Sequence, residues 1–278
     1  MIDALKAPTR RRVTRFALAV AAFAVIVWVQ SYYDQALRRP EFFNGWLLLA
    51  GVTFLTLFNI RKKLPMLPLG AARHWTQLHI YIGFVTAGLF ALHAGLSLPG
   101  GVLDSGLWLA FVLVVLSGVV GAYLSRTVPL RLREASEPIL LERIPGYRAQ
   151  LAREAAEIAE QSIVDQASLT ISTFYAAKIH DFMQGPRNLF AHLGGSDRGV
   201  LPYTAGLDAL ERYVDDTGKE IIAELRDRVV AKNDLDFQYA HLMMLRLWLF
   251  VHIPATYGLL VFAAVHVAAV YAFSSGTP

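Results

Sequence analysis

Cysteine is absent from all 278 residues. That excludes disulfides, thiolate metal sites, iron–sulfur ligation and the C-x-x-C-H attachment of c-type heme. Charge is scarce too. Charged residues make up 17% of the chain against 55% hydrophobic ones. The apolar residues fall in blocks, which favours an integral membrane protein. Acidic residues are almost missing from the apolar parts. Of 22, only Asp3, Asp34, Glu41 and Asp104 lie outside the segment from Glu134 to Asp236. The net charge of +4 therefore belongs to apolar spans and short loops, and reads as topology, not as a nucleic-acid surface. Nucleotide signatures are lacking as well. No G-x-G-x-x-G follows a strand and no Walker motif occurs. Gly194, Gly195 and Gly199 in GGSDRG read as a loop. There is no H-E-x-x-H and no nucleophile–base pair.

What is present is five apolar spans. They run from about Phe16 to Tyr32, Trp46 to Ile60, Thr76 to Leu98, Leu107 to Leu124 and Leu245 to Phe273. Arg10, Arg11, Arg12 and Arg15 precede the first, which is read as a retained anchor because QSYYDQALRRP offers no small-x-small cleavage site. The loop from Arg61 to Arg73 and the segment after Arg126 are basic. The loop from Leu98 to Gly106 and the tail after Phe273 have no base, and Asp34 and Glu41 flank Arg38 and Arg39. The bias places the N-terminus in the cytoplasm and the C-terminus outside, so spans three and five run in the same direction.

Between spans four and five lies a polar segment with helical periodicity. QLAREAAEIAEQSIVDQ repeats apolar residues at Leu151, Ala155, Ile158, Ala159 and Ile163. Tyr175–Met183 and Asp208–Val230 read as helices, and PRNLFAHLGGSDRGVLPYTAG as a Gly- and Pro-rich linker. The expected fold is all-α: a five-helix membrane bundle with a helical cytoplasmic insertion. Residues 1–125 hold spans one to four, 126–242 the insertion, and 243–278 span five with a short external tail.

Two apolar spans each carry two histidines fourteen residues apart, His79 and His93 in span three and His252 and His266 in span five. Fourteen residues come within about 40° of whole turns and rise roughly 21 Å, so each pair shares a helix face. Parallel spans then bring His79 level with His252 on the cytoplasmic side and His93 level with His266 on the outer side. Ionisable groups at depth usually face the interior for a reason. The readings are axial ligation of two hemes, a proton relay or structural hydrogen bonding, and another metal. Zinc or copper would want three or four ligands converging on one point. Heme held without cysteine would be b-type, and two imidazoles per iron suit electron transfer.

Several residues are candidates around such a site. Gly83, Gly88, Gly118, Gly121 and Gly258 would admit a porphyrin or simply pack helices. Pro254 would kink span five. Arg73, Lys62, Lys63 and Arg246 stand at the depth of inner propionates, Arg246 foremost, although the positive-inside bias also accounts for such bases. His74 is an interfacial histidine or a quinone-site group. His180, His192 and His241 are read as non-ligands, and Trp108, Tyr123 and Tyr271 as interfacial anchors.

In RHWTQLHIYIGF and FVHIPATYGLLVFAAVH the chain resembles the ferric reductase-like transmembrane family, which includes NADPH oxidases, and the bacterial b-type cytochromes grouped with it. The resemblance covers roughly residues 45–125 and 243–273. It implies two heme b groups, the inner held by His79 and His252 and the outer by His93 and His266. The chain departs from the pattern in its long fourth-to-fifth connection and in lacking a sixth span and a flavin and nicotinamide domain. The implied function is electron transfer across a bacterial inner membrane. A soluble reductase or quinol would donate, and a periplasmic c-type cytochrome or metal chelate would accept. The alternatives are a quinol-oxidising cytochrome b subunit of a larger respiratory assembly and a membrane scaffold or assembly subunit.

Overall fold

The computed structural model describes residues 2–35, 40–63, 71–95, 99–135, 139–164, 169–196 and 198–273. Arg38 and Arg39, the loop 64–70, residues 96–98 and the tail from 274 lie outside them, as do the side chains of Arg10, Arg11, Arg12, Lys62 and Lys63. All the described elements are helical. They are α1 (Ile2–Gln35), α2 (Pro40–Lys63), α3 (Ala72–Ala94), α4 (Val102–Ala135), α5 (Ile144–Val164), α6 (Leu169–Phe174), α7 (His180–Gln184), α8 (Leu189–Leu193), α9 (Leu201–Leu210) and α10 (Asp216–Phe273). Helices α1 to α4 and α10 are long and apolar enough to cross a membrane. That is the expected number of spans, and a helix is the element that satisfies its own backbone in lipid.

Two helices run further than their apolar stretches. The fourth span was expected to stop near Arg126, yet α4 continues through Pro129 to Ala135. Leu124, Val128 and Leu132 recur at one-turn spacing there and are buried against Phe237, Leu242, Leu245 and Trp248. Helix α10 begins at Asp216 instead of near Leu245 and holds 58 residues. At 1.5 Å per residue it is about 87 Å long, nearly three bilayer cores, so only its apolar part, 245–273, can lie in lipid. The chain forms two compact units, Met1–Ala122 with Leu249–Pro278, and Tyr123–Trp248. The limits between the units lie inside α4 and α10.

In the first unit two antiparallel registers are fixed by glycines. A Cβ on Gly45 would meet His93, one on Gly51 would meet Thr86, and Phe58 lies against His79. These contacts pair α2 and α3 in opposite directions over their whole length. Likewise Gly106 faces Phe262, and Ser117 and Gly118 face His252, so α4 runs antiparallel to α10. Phe90 of α3 stacks on Phe111 of α4 at 3.9 Å. His266 meets both His93 of α3 and Asp104 of α4, so rising numbers on α3 go with falling numbers on α4, and α3 and α10 run parallel. Helix α1 packs through Phe23, whose ring would come within 2.6 Å of a Cβ on Gly88. Tyr33 stacks on Phe43 of α2, ring centres 5.0 Å apart, while Phe16, Leu18, Val25 and Trp28 are exposed, as on a lipid-facing helix.

The second unit has a water-type core. Ala155, Ile158, Ile171, Ile179, Phe182, Met183, Leu207, Ile222, Leu225 and Val229 bury one another. The expected helix over Asp208–Val230 is broken. Val214 is extended, and the Asp215 carboxylate accepts the Gly218 amide at 2.9 Å, capping the start of α10. The expected linker contains α8 and α9, with Pro202 in the first turn of α9, where its missing N–H is harmless. Tyr175–Ile179 forms a π-helical turn between α6 and α7. Below this core lies a buried ion cluster. Asp236 takes Lys232 Nζ at 2.6 Å, Arg148 Nη2 at 3.1 Å and the Arg187 amide at 3.0 Å. Lys232 also sits 3.7 Å from the centre of the Phe182 ring.

Two outcomes follow. A Cβ on Gly51 would stand 3.6 Å from Thr86 Cβ, within the usual Cβ–Cβ range of a disulfide, about 3.5–4.5 Å. In this cysteine-free chain, Gly51→Cys with Thr86→Cys should oxidise to an internal disulfide, seen by peptide mapping, whereas Gly51→Cys with Phe84→Cys should not. In the ion cluster, Asp236→Ala leaves two buried cations without their anion and should lower unfolding stability by about 3–5 kcal/mol. Asp216→Ala, at an exposed pair with Lys219, should leave the unfolding midpoint nearly unchanged.

Candidate functional site

All four span histidines belong to the first unit, and each is half-buried. At the outer level His93 of α3 and His266 of α10 face each other, with ring centres 6.4 Å apart and planes at 84°. Imidazole–metal bonds are about 2.0–2.1 Å, and a ring nitrogen lies about 1.1–1.2 Å from its ring centre. Two imidazoles on opposite sides of one metal therefore have centres about 6.2–6.6 Å apart. The observed spacing fits that requirement and lies towards the long end of ordinary ring packing. The His93 ring also lies beside the backbone carbonyl of Glu41 on α2. Gly45 lets the Cε1 edge of the ring approach α2, since a Cβ there would be 3.0 Å from His93 Cε1. On the other side Asp104 Oδ1 lies 3.4 Å from His266 Nδ1.

At the inner level the rings have defined neighbours of their own. His79 lies against Phe58, ring centres 4.9 Å apart. His252 Nδ1 is 2.7 Å from Ser117 Oγ, and that hydroxyl also donates to Val114 O at 3.0 Å. A Cβ on Gly118 would lie 3.8 Å from His252 Cε1. Because α3 and α10 run parallel and both intervals are fourteen residues, His79 and His252 are displaced from the outer pair by the same rise, roughly 21 Å. Helix α10 passes through Pro254 without interruption, and Thr256 Oγ1 donates to His252 O at 2.8 Å.

The proposed glycines divide. Gly118 does face a histidine. Gly88 is a packing contact with Phe23, as ordinary helix packing would have it. Gly83, one turn after His79, and Gly258 have nothing within 4 Å of a Cβ, and Gly121 is buried on α4. Arg73 and Arg246 are exposed, and each precedes an inner histidine by six residues, Arg73 before His79 and Arg246 before His252. His74 is exposed at the start of α3. Of the presumed anchors, Tyr123 and Tyr271 are exposed, and Tyr271 Oη accepts from Trp46 Nε1 at 3.3 Å.

The remaining histidines are set in the second unit. His241 donates from Nδ1 to Phe237 O at 2.9 Å and lies 3.4 Å from Arg131 Nη1 through Nε2. His192 is buried edge-on to Phe237, and His180 lies 3.2 Å from Gln184 Nε2. Among the described residues no group of three His, Asp or Glu side chains gathers as a metal site. Asp104, Ser117 and Gly45 were missed by the sequence reading, because each matters only through a partner on another helix. No family model, curated protein or solved structure matches the chain.

The glycine contacts give a direct check. Ala is favoured over Gly inside a helix by about 0.5–1 kcal/mol. Gly83→Ala, in open space, should keep that gain, while Gly45→Ala, pressed on His93, should lose it and melt at a lower temperature in a thermal scan.

Proposed function

We propose that this chain is a di-heme b-type cytochrome that carries electrons across a bacterial inner membrane. The observation that carries the reading is the His93–His266 spacing of 6.4 Å, which suits one metal between two imidazoles. Equal intervals on parallel helices assign His79 and His252 to the second site. Heme, when bound, supplies a one-electron carrier with both axial positions filled. The protein's part is to present four imidazoles at two depths, and to keep them in lipid where no water competes. Absence of cysteine requires noncovalent attachment, hence heme b. Arg73 and Arg246, each six residues before an inner histidine, would set a cation near the cytoplasmic interface for propionates. Gly45 and Gly118 give the rings room against neighbouring backbones.

The remaining parts of the reading rest on the sequence. The basic N-terminus and loops support a cytoplasmic N-terminus and a periplasmic C-terminus. The Tyr123–Trp248 unit would then lie on the cytoplasmic side, where a reductase could dock. A quinol or soluble reductase would serve as donor, and a c-type cytochrome or metal chelate as acceptor.

The test is ligand by ligand. His93→Ala and His266→Ala should each lose one heme and retain the other, and His79→Ala and His252→Ala should lose the complementary one, as read by low-temperature difference spectra. Loss of the same heme from His93→Ala and His252→Ala would break the pairing.

A further inference from the structure

We propose that His241 is a proton-operated latch in the Tyr123–Trp248 unit: neutral, it helps seat α8 on α4 and α10, and protonated, it lets α8 go. The latch is independent of the di-heme reading, because every group in it belongs to the second unit. Helix α8 holds five residues. A helix that short does not keep its shape alone in water, so its place is set by what it touches. His192 is buried edge-on to the Phe237 ring of α10, with ring centres 6.0 Å apart. The Leu193 carbonyl accepts from Arg131 Nη1 of α4 at 2.9 Å.

The same Arg131 nitrogen reaches His241 Nε2 of α10 at 3.4 Å, and His241 Nδ1 lies 2.9 Å from Phe237 O. A carbonyl oxygen only accepts, and a guanidinium only donates. The ring between them therefore carries its hydrogen on Nδ1 and its lone pair on Nε2, which is the neutral imidazole. A second proton would go to Nε2. Arg131 would lose that acceptor, and two cations would face each other at a ring that is fully buried, where water screens them little. Among the described residues Arg131 is the one charged group acting on His241. The titratable group that α8 brings is His192, against the shared Phe237 ring. Along α10, Tyr239 lies under the Arg148 guanidinium, and Asp236, five positions before His241, is engaged by Lys232 and Arg148. Arg246, five positions after it, is a further cation.

Burial, and less strongly the Arg131 charge, hold His241 below the usual imidazole range, against the pull of the Phe237 carbonyl. A ring that is a weaker base when α8 is seated takes its proton more readily once α8 has left. Seating is therefore strongest at neutral and higher pH and weakens as pH falls below the ordinary imidazole value. Release would uncover Phe237, which packs with the cluster of Leu124, Val128 and Leu132.

The test is hydrogen-exchange mass spectrometry of the full chain in detergent micelles, at about pH 5 and about pH 7.5, corrected for intrinsic exchange. The amides of His192, Gly194 and Ser196 are hydrogen-bonded within 188–196, so a peptide covering them reports the state of α8. Its protection should fall at the lower pH by about tenfold or more, the scale of losing one hydrogen bond to a charged group. His241→Gln still offers Arg131 an acceptor and takes no proton, so its protection should be equal at both values. A flat response in the unaltered chain, or a fall that persists in His241→Gln, would overturn the latch. Histidine-resolved NMR of the unaltered chain gives a second reading that needs no variant to fold. His241 should titrate over the range in which α8 loses protection, and a ring that stays neutral throughout that range would overturn the proposal.

Discussion

Four imidazoles sit within helices long and apolar enough to cross a membrane, and the rest of the first unit is arranged around them. A polar ring at that depth needs a partner within the protein. Each of the four is met differently: by Phe58 at His79, by Gly45 at His93, by Ser117 at His252 and by Asp104 at His266. Those contacts also define the antiparallel registers of α2 with α3 and of α4 with α10. The histidines therefore sit where the helix pairs are locked, so a ligand placed on them would be held by the same packing that holds the bundle.

The two units solve different problems. In the first, large apolar side chains such as Phe16, Trp28, Leu116 and Val261 are exposed, and close helix approach at Gly51 and Gly88 accompanies a small buried cluster of Val52, Phe111 and Leu259. In the second, apolar side chains are buried around Ile179, Leu207 and Leu225. It also buries Lys232, Asp236 and Arg148 as an ion cluster, in which each charge depends on the others for compensation.

Much of the first unit was legible in the sequence, because hydropathy and a fourteen-residue interval are local patterns. The five spans and the four histidines are of that kind. Their limits were less legible. Helix α4 passes Arg126 because Val128 and Leu132 find an apolar partner face on α10, and that face is distant in sequence. The break before α10 did have a local signal, Asp215 three residues ahead of Gly218, but it was hidden within an otherwise helical run. Ser117 and Asp104 looked like ordinary polar residues in an apolar span. Their meaning lies in a register between helices more than a hundred residues apart in sequence, which periodicity along one helix does not encode.

The most direct test of the di-heme assignment is a pyridine hemochrome measurement on the purified, unaltered protein, made with heme in good supply. Two b-type hemes per chain, reduced and reoxidised with low-spin spectra, are the expected result. A chain that folds and yet carries no heme would contradict the assignment and leave the histidine pairs as packing or proton-carrying groups.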